Sequence, residues 1–575
     1  MDHLTPPYQG QLINLLLDAA DAYELEANSE NFVNITLSQR QQCDLEMLLN
    51  GSLSPLTGFM TEDIYNSVIA NTCLPDGVVW PIPYCLDIDE NHASNIVIGS
   101  RVALRDTEGF MPAVMEVQSI WRPDLEKEAK SIYGTVDASH PGVNYLLNSV
   151  KPVYIGGPIY GIQLPFHYDF ENLRHTPQEL RQKFIKSGWR NVVAFHTSKP
   201  MHRVHREITL CAAKQANAHV LIHPIVGMSK PGDIHYHARV HCYQAMLEYY
   251  PKNLVGLSLL PMAMRMAGPR EALMNAIIRQ NYGCSHYIIG KEHAAPPNVR
   301  DDAKRFYPTG SAQEYVKKFE SSLDIKVIDI DELYYNENQE KFVSYNEAEI
   351  DNAGIKNFSN SMIINAIQKG EDIPTWVTYP GVISAIKSAC PPRSEQGITL
   401  FFTGLSGSGK STLARIIYAK FIEEGGRPVT LLDGDVVRHN LSSELGFSRK
   451  DRDINVKRIG YVASEITKNR GIAICAPIAP YANMRREVRK NIEQYGAFIE
   501  IHVATSLEEC ERRDRKGLYK KARKGLIPEF TGISDPYEIP ENPEIRIDTQ
   551  NMTPMEAAQE VYLYLLGEGY IGQGL

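Results

Sequence analysis

Two stretches of this 575-residue chain have residue types and spacing suited to phosphate chemistry. The first runs Gly404-Leu405-Ser406-Gly407-Ser408-Gly409-Lys410-Ser411-Thr412. Its glycines let backbone N–H groups wrap a polyphosphate, Lys410 neutralises charge on the β and γ groups, and the Ser411 hydroxyl can hold Mg²⁺. Such a loop works between a strand and a helix, and ITLFF before it and STLARIIYAKF after it supply both. This part of the chain is expected to bind ATP or GTP. The second stretch is AFHTSKPMHRVH, residues 194–205. His202 and His205 stand between an apolar run, NVVAFH, and a helical pattern, HREITLCAAKQANA. Imidazoles beside a helix N-terminus suit the α-phosphate of a nucleotide and the charge that develops on transfer. A purely structural role for the pair is open as well.

The fate of the γ-phosphate depends on an acceptor site. Asp433 and Asp435 end the run RPVTLLDGD, and a parallel sheet would place them at its carboxyl edge beside the phosphate loop. One carboxylate there could order Mg²⁺ while the other accepts a hydroxyl proton; a solvated Asp-Gly-Asp turn is the alternative. Basic residues follow: Arg438, Arg452, Lys457, Arg458, Arg485, Arg486, Arg489 and the run ECERRDRKGLYKKARKG. Most would form a solvated face, and an anionic acceptor would recruit a few, since guanidinium forks bind phosphate or sulfate oxygens bidentately. His235, His237 and His241 make a further cluster, either a hydrogen-bonded face or part of a metal site that would need more converging ligands.

These residues need elements to hold them. Up to residue 170, turn residues separate short runs such as VVWPIPYCLDI and NIVIGSRVALRD, which predicts a mainly β domain after an initial helix. From 171 to 330 strand and helix patterns alternate, as βαβ units on a parallel sheet require. A small α/β subdomain and linker follow over 331–393, ending in the turn-rich PPRSEQG, and a fresh α/β unit with the phosphate loop fills 394–575. The fold class is therefore multidomain α/β.

The formal charge of −10 offers no field for nucleic acid, so any polyanion site must be a local pocket. Nine scattered cysteines without a C-x-x-C pair argue against a disulfide framework or structural zinc and fit a reducing, cytoplasmic setting. No apolar run reaches the ~18 residues of a membrane span, and the N-terminus does not read as a signal peptide.

Four motifs in order, LDGDVVRHNLSSELGFSRKDRDINVKRIGYVA, CAPIAPYANMRREVR, RRDRKGLYKKARKG and EFTGISDPYEIPENPEI, resemble adenylylsulfate (APS) kinase over essentially all of 394–575. The resemblance implies a P-loop kinase domain in which ATP phosphorylates the ribose 3′-hydroxyl of adenylylsulfate. It implies Asp435 as base or Mg²⁺ partner beside Ser411, with Arg438, Arg452 and Asn455 holding adenylylsulfate. Phe447 and Phe530 would sandwich the adenine, Ile478, Ala479 and Lys516 would line the pocket, and Arg512 to Arg523 would form a lid. Many family members have Ser where this chain has Ala479, so a phosphoserine intermediate is excluded and direct in-line transfer remains.

Toward the front, GSLSPLTGFM, WPIPYCLDI, KPMHRVHRE, LIHPIVGMSKPGDI and MRMAGPREALMNAIIRQNYGCSHYIIGKEHA resemble ATP sulfurylase over about residues 1–390. That implies a PUA-like barrel, then a Rossmann-like adenylyltransferase domain, and a homo-oligomer of the fused sulfurylase–kinase kind. The nucleotide and sulfate site would take His196, Thr197, Ser198, Lys199, His202 and His205 from one motif and Gly290, Lys291, Glu292, His293 and Ala294 from the other. Where the family usually reads Q-T-R-N-P, this chain reads His196-Thr197-Ser198-Lys199-Pro200; where it reads G-R-D-H-A-G, this chain reads Gly290-Lys291-Glu292-His293-Ala294-Ala295. Ser198 deletes a fork for an oxyanion, a contact worth on the order of 1.5–3 kcal/mol, and Lys199 restores charge without planar geometry. Two readings follow: a bifunctional enzyme with weakened sulfurylase chemistry, acting on ATP, adenylylsulfate, sulfate and pyrophosphate, or a kinase carrying a non-catalytic sulfurylase-like module. A scaffold without turnover is opposed by the intact Lys410, Ser411, Asp435, Arg452 and Asn455.

Overall fold

A computed structural model describes residues 4–228, 234–296, 305–330, 333–344, 355–356, 358–446, 448–514 and 516–572. The chain divides into two compact units, one of Met1–Asn360 with Pro374–Ala389, the other of Ser361–Ile373 with Cys390–Leu575.

The first unit opens with a seven-stranded sheet built from β1 (Val33–Thr36), β2 (Gly58–Phe59), β3 (Leu86–Ile88), β4 (Arg101–Arg105), β5 (Ala113–Glu116), β6 (Ser119–Trp121) and β7 (Val153–Gly161). β7 pairs antiparallel with β2, β3, β5 and β6, so one long strand organises the module. The expected initial helix is short, Ala19–Ala27, because Asp18 caps it by accepting from Ala20 and Asp21 N–H. Before it, Leu17 bonds instead to Gly161 of β7. Helices between the strands are more numerous than the turn-rich text suggests; Gln39–Leu49, for instance, starts at a Ser38/Gln41 capping box.

The parallel sheet expected after residue 171 is present: β8 (Val192–Phe195), β9 (His219–Ile222), β10 (Val255–Leu257), β11 (His286–Ile289) and β12 (Lys326–Asp329), in the order β10-β9-β8-β11-β12. The chain leaves β8 in one direction and returns on its other side as β11. The carboxyl ends of β8 and β11 therefore flank a topological switch point, where open α/β sheets bind ligands. The motif beginning at His196 follows β8, and Gly290 follows β11. Behind them the helix Pro269–Asn281 is buried along almost its whole length and carries four buried polar side chains after its first turn's Glu271: Asn275, Arg279, Gln280 and Asn281 each find partners. A three-stranded antiparallel sheet, β13 (Leu333–Asn336), β14 (Lys341–Ser344) and β15 (Ile355–Lys356), marks the small subdomain.

The second unit holds a five-stranded parallel sheet of β16 (Ile398–Thr403), β17 (Val429–Asp433), β18 (Ile472–Ala476), β19 (Ala497–Val503) and β20 (Ile545–Ile547), ordered β17-β18-β16-β19-β20. β16 is buried at every position, which explains its mainly apolar text, ITLFF; the one hydroxyl in that run, on Thr399, bonds to Thr467. The phosphate loop leaves its carboxyl end and enters the helix Lys410–Glu424. No helix among the described residues is long and apolar enough to cross a membrane.

Candidate functional site

A cavity of about 680 Å³ opens at the carboxyl edge of the second unit's sheet. Its wall combines the phosphate loop with Asp433, Arg438, Arg452, Asn455, Ile478, Ala479, Lys516 and Phe530, while Lys457, Arg458, Arg485, Arg486 and Arg489 do not line it. Phe447 lies outside the described residues, as does the side chain of Asp435, whose backbone sits in the helix Gly434–Leu441.

The loop's glycines are required by geometry. A Cβ on Gly404 would stand 2.5 Å from the Val503 carbonyl oxygen, and Gly409 caps the next helix at φ +109°. Lys410 is buried and donates to the carbonyls of Gly404 (2.9 Å) and Leu405 (2.7 Å). Burial pulls its ammonium down to about 8. Thr505 and Thr549 both donate to the Ser408 carbonyl, at 3.0 and 2.9 Å, and fix the far side of the loop. Neither threonine stands in a recognisable motif; their only signal is position, directly after β19 and β20. Ser411 Oγ donates to Asp433 Oδ1 at 3.3 Å, while Arg415 reaches Asp433 Oδ2. A hydroxyl and a carboxylate side by side are the hard oxygen donors that Mg²⁺ prefers.

Across the cavity, Arg452 bonds to the segment 529–535. It donates to Thr531 Oγ1 and Asp535 Oδ2, both at 2.7 Å, and to the Glu529 carbonyl at 2.5 Å. Tyr481 donates to the same Asp535 oxygen at 2.7 Å. Arg452 thus pins the loop that carries Phe530, a connection its spacing does not reveal. One turn on, Asn455 Oδ1 is buried without a hydrogen-bond partner and lines the cavity, an acceptor waiting for a donor. Arg438 donates to the carbonyls of Leu445 and Gly446, holding the turn before position 447. Ala479 takes φ +45°, with Thr403 Oγ1 and Arg485 bonded to its carbonyl. Nearby, hydrogen bonds from Arg512 and Arg513 hold the Glu509 carboxyl down to about 2.

The first unit's cluster is built differently. His196 bonds Arg279 through Nδ1 at 3.0 Å, and its ring centroid lies 5.1 Å from that of His293. Arg279 is fully buried, and donates also to Asn275 Oδ1 and the His223 carbonyl. His293 Nε2 is met by Tyr287 OH at 3.0 Å and Asn275 Nδ2 at 3.3 Å. Asn275 and Arg279 are four apart on one helix face, so the 3.6-residue period of MRMAGPREALMNAIIRQ carried the signal for them. His223 is fully buried with both ring nitrogens unpartnered, and burial holds it well below its ordinary range.

Ser198 is buried, whereas Lys199 is exposed; its backbone is tied into a turn by Thr197 and Tyr243. The Lys199 charge is therefore on the solvent side. His202 N–H donates to His205 Nδ1 in a capping arrangement, which puts His205 in the first turn of the helix Arg203–Ala216 rather than before it. Both His202 ring nitrogens are engaged, Nδ1 with Thr378 at 3.0 Å and Nε2 with Asn360 at 2.6 Å. Burial pulls His202 to about 4 and His205 to about 3, so both rings are neutral. Gly290 and Lys291 begin the second loop, Glu292 pairs with Arg305 at 2.8 Å in the open, and Ala294 adopts φ +53°. For the His235 cluster, His237 and Tyr236 both contact Asp169, which Arg174 also holds. Among the described residues no group of three or more His, Cys, Asp or Glu is placed to hold a metal, and the face is a hydrogen-bonded one.

Fold and sites define the class: an ATP-using transferase in which an adenylyltransferase-type sheet is joined to a P-loop kinase unit. Residues 5–164 match the PUA-like domain, 171–389 ATP-sulfurylase and 396–548 adenylylsulphate kinase. The sulfate adenylyltransferase of Phaeosphaeria nodorum is 43% identical over 99% of this chain and 99% of its own, and that of Aspergillus terreus 44% identical over 98% and 99%. A solved structure described as a hexameric APS kinase from Thiobacillus denitrificans covers 99% of this chain and 100% of its own at 37% identity and TM-score 0.81. The chain belongs to the sulfate adenylyltransferase family and carries an adenylylsulphate kinase domain at its C-terminal end, the two activities of sulfate activation.

Proposed function

We propose that the second unit transfers the γ-phosphoryl group of ATP to the 3′-hydroxyl of adenylylsulfate, directly and in line. The observation that carries this is the single cavity whose wall joins Lys410 and the phosphate loop to Arg438, Asn455 and Phe530. Loop N–H groups and Lys410 hold the triphosphate; Asn455 Oδ1 accepts from the nucleotide acceptor; Phe530 stacks on its adenine, and Arg452 keeps Phe530 in place. Asp435 takes the role of base toward the 3′-hydroxyl. Ser411, with Asp433 and Asp435, would hold Mg²⁺, which supplies charge neutralisation on the transferring phosphoryl group. Ala479 has no nucleophile, so no phosphoenzyme forms there. The test is phosphate transfer from labelled ATP to adenylylsulfate by the full chain: 3′-phosphoadenylylsulfate should form, and its absence overturns the reading.

For the first unit we propose sulfate adenylyltransfer weakened by the replaced motif. Ser198 offers a hydroxyl where a fork is usual, and Lys199 is exposed. A second reading, a module without turnover, is favoured by His202, whose two ring nitrogens bond Thr378 and Asn360 and leave it no proton or lone pair for phosphate. The relative from Thiobacillus denitrificans, matched over its whole length, is described by kinase activity alone and as hexameric. Assembly as a homo-oligomer and a cytoplasmic setting, in keeping with nine free cysteines, complete the proposal. Sulfate-dependent ATP–pyrophosphate exchange separates the two readings.

A further inference from the structure

Tyr519 stands where nothing in the transfer chemistry requires a phenol. It is 2% exposed, so it anchors the short helix Leu518–Arg523 instead of facing solvent with Lys520 and Lys521. Its hydroxyl donates to the Ser406 carbonyl at 2.8 Å, inside the phosphate loop. Its ring meets Phe530 edge-on, with centroids 5.1 Å apart and planes at 78°. One side chain therefore touches both the loop that wraps ATP and the platform for the acceptor's adenine.

The surroundings make this a link and not a coincidence of packing. Asp514 fixes the residue's backbone by accepting from Tyr519 N–H and Lys520 N–H, both at 3.1 Å. Gly517 and Gly525, at φ +64° and +72°, flank the helix and set its two ends in left-handed turns. Phe530 is held from its other side, where its carbonyl accepts from Ser534 and Asp535 N–H and Arg452 grips Thr531 and Asp535. A phosphate loop that reorganises around ATP must move the Ser406 carbonyl, hence Tyr519, hence the ring against Phe530.

We propose that Tyr519 is a positioning residue that couples the two substrate sites: occupancy of the phosphate loop changes the affinity for adenylylsulfate through the Ser406–Tyr519–Phe530 contact. By linkage, adenylylsulfate changes the affinity for ATP by the same factor. This rests on the kinase reading above.

The experiment titrates adenylylsulfate into the full chain with and without the β,γ-imido analogue of ATP and Mg²⁺, then titrates the analogue with and without adenylylsulfate. Wild type should show the same ratio both ways, about fivefold or more, the low end of measured couplings. Tyr519→Phe keeps the ring and loses the bond to Ser406; its ratio should fall to within about twofold of one, with an unchanged melting temperature. Tyr519→Leu should in addition weaken adenylylsulfate binding when the analogue is absent. A wild-type ratio of one, or a Phe variant with the full ratio, overturns the proposal. Either result would leave wild-type phosphate transfer intact, whereas failure of the kinase reading would remove that transfer itself.

Discussion

The two units treat a cation at a phosphate site in opposite ways. In the second, Lys410 is buried at the mouth of β16 and bonded to loop carbonyls, so a triphosphate would meet a charge already desolvated. In the first, Arg279 is buried and donates to His196, Asn275 and the His223 carbonyl, and Lys199 is exposed. Both units keep the sheet edge that binds nucleotides. What differs is where the charge lies, in the wall of the cavity in the second unit and bonded within the protein or exposed in the first, and the proposal of weakened chemistry in the first unit rests on that difference.

The comparison breaks most visibly at Lys410. Lys410→Ala should lower phosphate transfer by about 10³-fold, the scale for removing a preorganised charge at a transferring group, while the first unit's thermal transition stays put. Equal loss of both would show that the units do not act independently. Next is the triple substitution His196→Gln, Ser198→Arg and Lys199→Asn. Restoring a charge-assisted fork worth about 1.5–3 kcal/mol should raise sulfate-dependent exchange about 10- to 100-fold; no increase would detach the motif from the deficit. Asp535→Asn removes one charge from the Arg452 pair and should raise the KM for adenylylsulfate about tenfold with little change in the KM for ATP, which steady-state kinetics will read.

The smallest effect is in pH dependence. His202 and His205 are held to about 4 and about 3 by burial, so between pH 6.5 and about 4 the unfolded chain binds protons that the folded one does not. Stability of the first unit is therefore lost as pH falls through that window, by up to about 3 kcal/mol per histidine. His202→Asn should flatten that slope in melting curves collected from pH 7 to 4; an unchanged slope would mean that these rings are hydrated in solution.

Much of this was legible in the sequence because local rules decide it. The phosphate loop, the helix it enters and the parallel sheets follow from glycine spacing and apolar period. The motifs after β8 and β11 were readable as a pair, though only the strand order shows that they flank one crevice. Long-range pairing was not readable. Arg452 lines the cavity as expected of a ligand contact, but its grip on Thr531 and Asp535, about 80 residues on, has no signal in the spacing; a guanidinium has more donors than one substrate needs. His202 looked poised for phosphate, but its partners Thr378 and Asn360 come from far along the chain. The start of the initial helix was not readable either, since apolar LINLLL pairs with β7 through Leu17 and the helix begins only at Ala19.

The central claim is that one chain holds a working kinase site beside a sulfurylase site of reduced power. Both activities should be measured on one preparation of the full chain, with saturating ATP and Mg²⁺: adenylylsulfate phosphorylation and sulfate-dependent ATP–pyrophosphate exchange. Phosphorylation at about 1 s⁻¹ or faster, with exchange slower by about 100-fold or more, is the predicted result. Exchange as fast as phosphorylation would contradict it.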